Sequence, residues 1–304
     1  MINNTYNVKT VFSIKDLENL SGIKAHTIRI WEQRYSLLTP QRTDTGIRFY
    51  NDADLKKILS TSVLLKSGFK ISKIAKLDEE ELKVELSKID GTEELQSNTK
   101  IELHISNLLS AGLDFDEIKM NKEFNKLNES FDTYSIFISI VYPLLNRIGV
   151  LWSKNDIDPL QEHFISNAIK KQLNIATDKL PNQDNNDDEI VLFLPENETH
   201  DIGLLFANFL LKQANIKTIY LGQQVPTTSL IKLIKDRNIK KALGFIFFSP
   251  GKEKLLKAVN SLASACETTE FYWSGNIDTL ELLKPQKNQI ILYSLEDFHQ
   301  KLIH

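Results

Sequence analysis

From residue 190 onward, short apolar runs alternate with longer helical ones, and this alternation leaves few folds open to the chain. Residues 190–194, 218–221, 243–248, 271–273 and 289–292 read as strands. Helices fill the gaps between them. The clearest covers 204–211, too long an apolar segment for a typical strand, and a last helix starts near Leu295. Strands separated by helices imply a parallel sheet with helices on both faces. Neither Gly-x-Gly-x-x-Gly nor a phosphate-loop lysine occurs, which argues against a dinucleotide or nucleoside-triphosphate fold.

Open sheets of this kind bind ligands beyond the carboxyl ends of their strands. Glu198-Thr199-His200-Asp201-Ile202-Gly203 stands at that edge, directly after the first strand. An imidazole there can ligate a metal, and Glu198, two residues earlier, can orient its other ring nitrogen. Taken alone, the pattern suits a polar helix start better than a ligand.

The 304 residues allow two or three domains, and 41% hydrophobic with 25% charged residues is a globular composition. Cys266 is the single cysteine, which excludes an intramolecular disulfide and any multi-cysteine metal site. The start of the chain lacks the features of a signal peptide, and no apolar run approaches the ~20 residues that cross a bilayer. A cytoplasmic protein without a membrane partner is expected. The net charge of −3 hides an asymmetry. Residues 1–76 carry 13 Lys and Arg against 6 Asp and Glu, while the remainder carries 24 against 34. A basic head on an acidic body suggests a polyanion-binding module.

Within that head, Ser13 caps a helix with Asp16 in its first turn, and Leu17 and Leu20 share one face. Ser21-Gly22-Ile23 makes a short turn before a second helix from about Lys24 to Arg34, giving a helix-turn-helix pattern. Thr43-Asp44-Thr45-Gly46 is a turn between two short extended pieces, hence a wing. Asn51 caps a further helix, and another follows Gly68. The candidate DNA contacts are His26, Thr27, Arg29 and Tyr35 from the second helix, with Arg42, Arg48 and Tyr50 from the wing. The run from Phe12 to Lys76, with Ile28-Arg29-Ile30-Trp31-Glu32-Gln33-Arg34-Tyr35 and Ile47-Arg48-Phe49-Tyr50, resembles the winged-helix head of MerR-type regulators. That resemblance implies paired heads acting on near-palindromic double-stranded promoter DNA.

Residues 88–100 read as a polar linker, and helices are expected over 101–110, 115–127, 134–151 and 159–180, with a kink at Pro143. Four helices in so short a span suggest a bundle. Asp158 and Pro159 suit the start of the last one, placing Glu162 and His163 in its first turn. Trp152, then nine residues, then Glu162-His163 resembles a motif of CarH/LitR-type cobalamin-dependent photoreceptor regulators. There the tryptophan and the Glu-His pair cover the adenosyl face of adenosylcobalamin.

Glu198-x-His200-x-x-Gly203 likewise resembles the cobalamin-binding domain that those regulators share with methionine synthase and certain mutases. By that resemblance His200 is the lower cobalt ligand, Glu198 holds its distal nitrogen, and Gly203 allows close approach. Ser249 and Gly275 stand where the family lines a slot for the nucleotide tail. The chain departs from the pattern here: Phe247-Phe248-Ser249-Pro250-Gly251 lacks the family's leucine, and Trp273-Ser274-Gly275-Asn276 keeps one glycine of a pair. Ser153 also replaces the histidine that follows the cap tryptophan in light-sensing members.

The expected architecture is therefore a winged helix-turn-helix over 10–78, a four-helix-bundle cap over 98–180 and a flavodoxin-like or Rossmann-like parallel-sheet domain over 188–304. The resemblances imply a non-enzymatic transcription regulator gated by adenosylcobalamin and light. Its partners would be promoter DNA, further copies of the chain as homodimer or homotetramer, and RNA polymerase. Two other readings are a regulator whose vestigial cobalamin fold serves dimerisation or partner binding, and a corrinoid methyl-transfer or mutase subunit. The basic head argues against the latter.

Overall fold

The computed structural model describes residues 11–90, 97–152, 159–181, 189–247 and 252–303. It divides into two compact units, Met1–Ile169 and Lys170–His304. No helix among the described residues is long and apolar enough to cross a membrane.

The first unit opens with α1 (Ile14–Ser21), closed at its start by a reciprocal pair of hydrogen bonds between Ser13 and Asp16. Then come α2 (Ala25–Tyr35), the two-residue strands β1 (Gln41–Arg42) and β2 (Arg48–Phe49), and α3 (Asp52–Lys66). β1 and β2 pair antiparallel around the Thr43–Gly46 turn, as the wing expected from sequence. Asn51 and Asp54 form a second capping box at α3. α4 (Ile71–Ile74) and α5 (Glu79–Asp90) follow.

α5 corrects the linker reading of 88–100. The helix runs through Asp90, the next one starts at Ser97, and only 91–96 lie outside the described residues. Asp78 and Glu81 exchange hydrogen bonds at the start of α5, and Leu82 and Ile89 bury against Val63, Leu64, Ile74 and Leu103. The helix thus belongs to a packed core.

The helical middle consists of α6 (Ser97–Leu113), α7 (Glu117–Ser130), α8 (Thr133–Ile136), a π-helical turn (Phe137–Val141), α9 (Tyr142–Trp152) and α10 (Pro159–Asp178). A π-helical turn stands directly before Pro143, where a kink is expected from sequence. Pro143 lacks an N–H and its ring crowds the carbonyl one turn earlier, so the helix absorbs an extra residue just before it. Head and middle are joined by charge: Arg147 pairs with both oxygens of buried Glu102 at 2.6 and 2.9 Å, and Lys66 reaches the same carboxylate at 2.7 Å. Arg147 also donates to the Leu20 carbonyl at 3.2 Å, beside the turn into α2.

In the second unit, β3 (Glu189–Pro195), α11 (Ile202–Gln213), β4 (Lys217–Val225), α12 (Thr227–Arg237), β5 (Lys241–Ile246) and α13 (Lys252–Ala265) alternate in the expected way. β6 (Glu270–Gly275), α14 (Ile277–Leu280), β7 (Gln289–Ile291) and α15 (Leu295–Phe298), which runs into a π turn over His299–Ile303, complete it. The five strands are parallel in the order β4-β3-β5-β6-β7. This is the flavodoxin order, and its direction reverses between β3 and β5. β3 lies inside the sheet with Ile190 to Leu194 all buried, which is why it reads as a continuous apolar run.

Candidate functional site

The exposed face of α2 is set by helical spacing. His26, Arg29, Ile30, Gln33 and Arg34 fall at i, i+3, i+4, i+7 and i+8, and all are exposed. Ile28 is the buried anchor behind them. His26 and Arg29 were legible as candidate contacts; Gln33 and Arg34 share their face and could have been found by the same spacing. Thr27 is half-buried beside His26, and Tyr35 is exposed at the end of the helix.

On the wing, Arg42 is exposed and donates to the Gly46 carbonyl at 3.1 Å, bracing the turn. Arg48 is half-buried, with Nε 3.3 Å from Glu32 of α2. Tyr50 is fully buried, and its hydroxyl donates to the other oxygen of Glu32 at 2.5 Å. Burial, reinforced by Glu32, pushes the Tyr50 phenol well above its ordinary value. Tyr50 therefore supports the wing from within, which corrects its reading as a DNA contact: a side chain with no exposed surface offers nothing to a phosphate or a base.

The second candidate site lies where the sheet order reverses. His200 follows β3, Phe247 follows β5, and Glu198 ties the two together. Buried Glu198 accepts through Oε1 from the Thr199 N–H at 2.8 Å, the His200 N–H at 2.9 Å and His200 Nδ1 at 2.6 Å. Its Oε2 accepts from the Phe247 N–H at 2.7 Å, across the switch point. Facing a carboxylate, Nδ1 carries the ring proton, which leaves Nε2 as the nitrogen with metal-ligating character. The His200 side chain is 48% exposed, so the ring stands at the open edge.

Asp201 anchors the same loop. Its Oδ2 accepts from Gln223 of β4 at 2.8 Å and its Oδ1 lies 2.7 Å from Lys170 of α10. Gln223 also donates to the Thr199 carbonyl at 2.8 Å. Burial, then the charge of Asp201, raise the Tyr220 phenol above its ordinary value, so Tyr220 stays neutral beside the loop.

The glycines show what fills the space beneath. A Cβ on Gly203 would stand 2.8 Å from the Phe245 ring, and one on Gly244 only 2.4 Å from the Trp273 ring. Gly275 has φ +141 and packs against the Ile246 backbone, where a Cβ would come within 2.0 Å of the carbonyl oxygen. Trp273 is fully buried, edge-on to Phe193 at 5.6 Å. Phe245 stacks on half-exposed Phe247, whose ring centre lies 6.2 Å from that of His200.

In the first unit, His163 Nδ1 lies 2.7 Å from Glu162, which also accepts from Ser166 at 2.5 Å. His163 is largely exposed at the start of α10. The Trp152 side chain, Ser153 and Ser249 lie outside the described residues. Among the described residues no group of three His, Cys, Asp or Glu side chains could hold a bare metal ion.

Residues 12–81 match the MerR HTH family regulatory protein family, and residues 105–177 match the B12 binding domain family. The chain is similar to the HTH-type transcriptional repressor CarH of Myxococcus xanthus, with 28% identity over 222 residues, or 72% of this chain and 73% of that one. It is 39% identical over 67 residues to the HTH-type transcriptional regulator MlrA of Escherichia coli, covering 22% of this chain and 28% of that one. Among solved structures, the Methanosarcina barkeri monomethylamine corrinoid protein superposes with a TM-score of 0.54 at 13% identity, over 64% of this chain and 95% of that one, a likeness of fold. Residues 12–81 thus match the MerR-type helix-turn-helix head, and residues 105–177 match a B12 binding domain.

Proposed function

We propose that this chain is a non-enzymatic transcription regulator whose oligomerisation and promoter binding are controlled by adenosylcobalamin, and through it by light. The observation that carries the reading is His200, held by Glu198 at the switch point of the sheet, in a chain that also bears a basic winged head. The donor set fits: a corrin would bring nitrogen donors of its own, so one imidazole, that of His200 held through Nδ1 by Glu198, would suffice to hold the cobalt. When bound, the group would supply a cobalt–carbon bond that light can break.

The chain's own residues would then work as follows. Glu198 fixes the tautomer and direction of His200 and is itself fixed by three backbone N–H groups. Asp201 steadies the same loop through Lys170, 2.7 Å from its Oδ1. Glu162, His163 and Trp152 are assigned to the adenosyl face by the resemblance to CarH-type regulators, within a helical middle that serves as a four-helix-bundle cap. Heads spanning 10–78 would act in pairs as the chain forms homodimers or homotetramers, with RNA polymerase as a further partner. The domain limits 98–180 and 188–304 belong to the same proposal.

Gly203 and Gly244 open space that the rings of Phe245 and Trp273 already fill, which favours a second reading: a corrin-free body used for dimerisation or partner binding. The two readings separate on the full chain. Gel filtration and promoter retention are compared with and without adenosylcobalamin in the dark, then after illumination. A shift with the cofactor supports the first, and identical behaviour in all conditions supports the second.

A further inference from the structure

The wing is too small to hold its own position. Each of its strands has two residues, and a two-stranded ribbon in water is marginal even when longer. Its internal bonds, from Arg42 to the Gly46 carbonyl and from the Ile47 N–H to Thr43, shape the turn without fixing the ribbon against α2. Glu32 supplies a fixed point. It lies on α2 with its side chain only 6% exposed, turned away from the row of His26, Arg29, Ile30, Gln33 and Arg34. One carboxylate oxygen receives the Tyr50 hydroxyl, and the other lies against Arg48. Arg48 and Tyr50 are two residues apart on an extended segment and so project to the same side, toward α2. Tyr50 is in turn paired with Phe12 through both backbone groups, at 2.7 and 2.8 Å, which anchors the base of the wing.

We infer that Glu32 is a positioning residue for DNA binding: it sets the wing against the recognition helix and holds Arg48 in the pose that meets a phosphate. The inference rests on the DNA-binding reading of the head. It carries an unusual sign. An acid beside a DNA-binding face repels phosphates, so its removal should tighten binding if charge alone mattered. A positioning role demands the opposite.

The test uses the full-length chain and a duplex selected by the wild type from a randomised library, with an unrelated duplex of equal length as control. Glu32→Gln keeps an acceptor for Tyr50 but removes the charge that holds Arg48. The expected result is roughly tenfold weaker binding to the selected duplex, weaker binding to the control as well because a phosphate contact carries no sequence, and a salt slope smaller by about one on both. Tyr50→Phe keeps the packing and removes only the hydroxyl, and a loss of a few-fold in the same direction is expected. It carries the test if Glu32→Gln does not fold. Binding as tight as wild type or tighter, with an equal or steeper salt slope, would overturn the inference. If the wild type enriches no duplex, the DNA-binding reading fails first and takes this inference with it.

Discussion

Glu198→Gln isolates the bond that ties His200 to the neighbouring strand. In the wild type one carboxylate serves two sides, with Oε1 facing the Thr199 and His200 donors and Oε2 the Phe247 N–H at 2.7 Å. Glutamine has one acceptor oxygen. If that oxygen stays with the Thr199 and His200 donors, its NH2 faces the Phe247 N–H, donor against donor. The Thr199 and His200 donors keep the glutamine oxygen, so the loss concentrates at Phe247, whose bond is partly buried. Leaving such a donor unmade costs about 2 kcal/mol. The Phe247 amide should then open about thirtyfold more often. Hydrogen exchange by mass spectrometry on peptides covering 244–247 reads this directly, with buried β3 as an internal reference. Unchanged exchange at Phe247 would refute the claim that Glu198 bridges the switch point.

Two further predictions concern stability. Burial works against the charge of Glu102, but hydrogen bonds from Arg147 and Lys66 outweigh it and hold the carboxyl below its ordinary value of 4.5. A depressed folded value stabilises the fold above the unfolded value and is lost as the pH falls through the folded one. The thermal midpoint of the wild type should therefore drop on acidification below 4.5, while Glu102→Gln starts lower at neutral pH and loses less. Parallel curves for the two proteins would contradict the network. Gly244→Ala would push a methyl to 2.4 Å from the Trp273 ring, and overpacking of that kind costs about 1–3 kcal/mol. Denaturant unfolding followed by fluorescence checks this, and an unshifted midpoint would show that the indole can yield.

Local signals carried most of the architecture. Ser13 with Asp16 and Asn51 with Asp54 fix helix starts because a cap acts within four residues, and both boxes form. The five strands announced themselves as apolar runs because parallel strands are buried on both faces. α5 escaped because Glu79, Glu80 and Glu81 gave it a polar look, though Leu82, Leu86 and Ile89 have helical spacing and pack on one core. Tyr50 was misplaced because Glu32, eighteen residues away, receives its hydroxyl. The Glu198 to Phe247 bond, forty-nine residues apart, and the contact of Gly244 with Trp273 arise only from strand order. Sequence located the His200 edge; the rings that fill the space behind it are a property of packing.

The central claim is that His200 ligates the cobalt of adenosylcobalamin. The direct measurement incubates full-length protein with adenosylcobalamin in the dark, removes free corrinoid by gel filtration, and records the visible spectrum of wild type and His200→Ala. Corrin absorbance that elutes with the wild type, is lost from His200→Ala, and changes on illumination is the predicted result. A wild type that retains no corrin, or a variant that retains as much as the wild type, would contradict it.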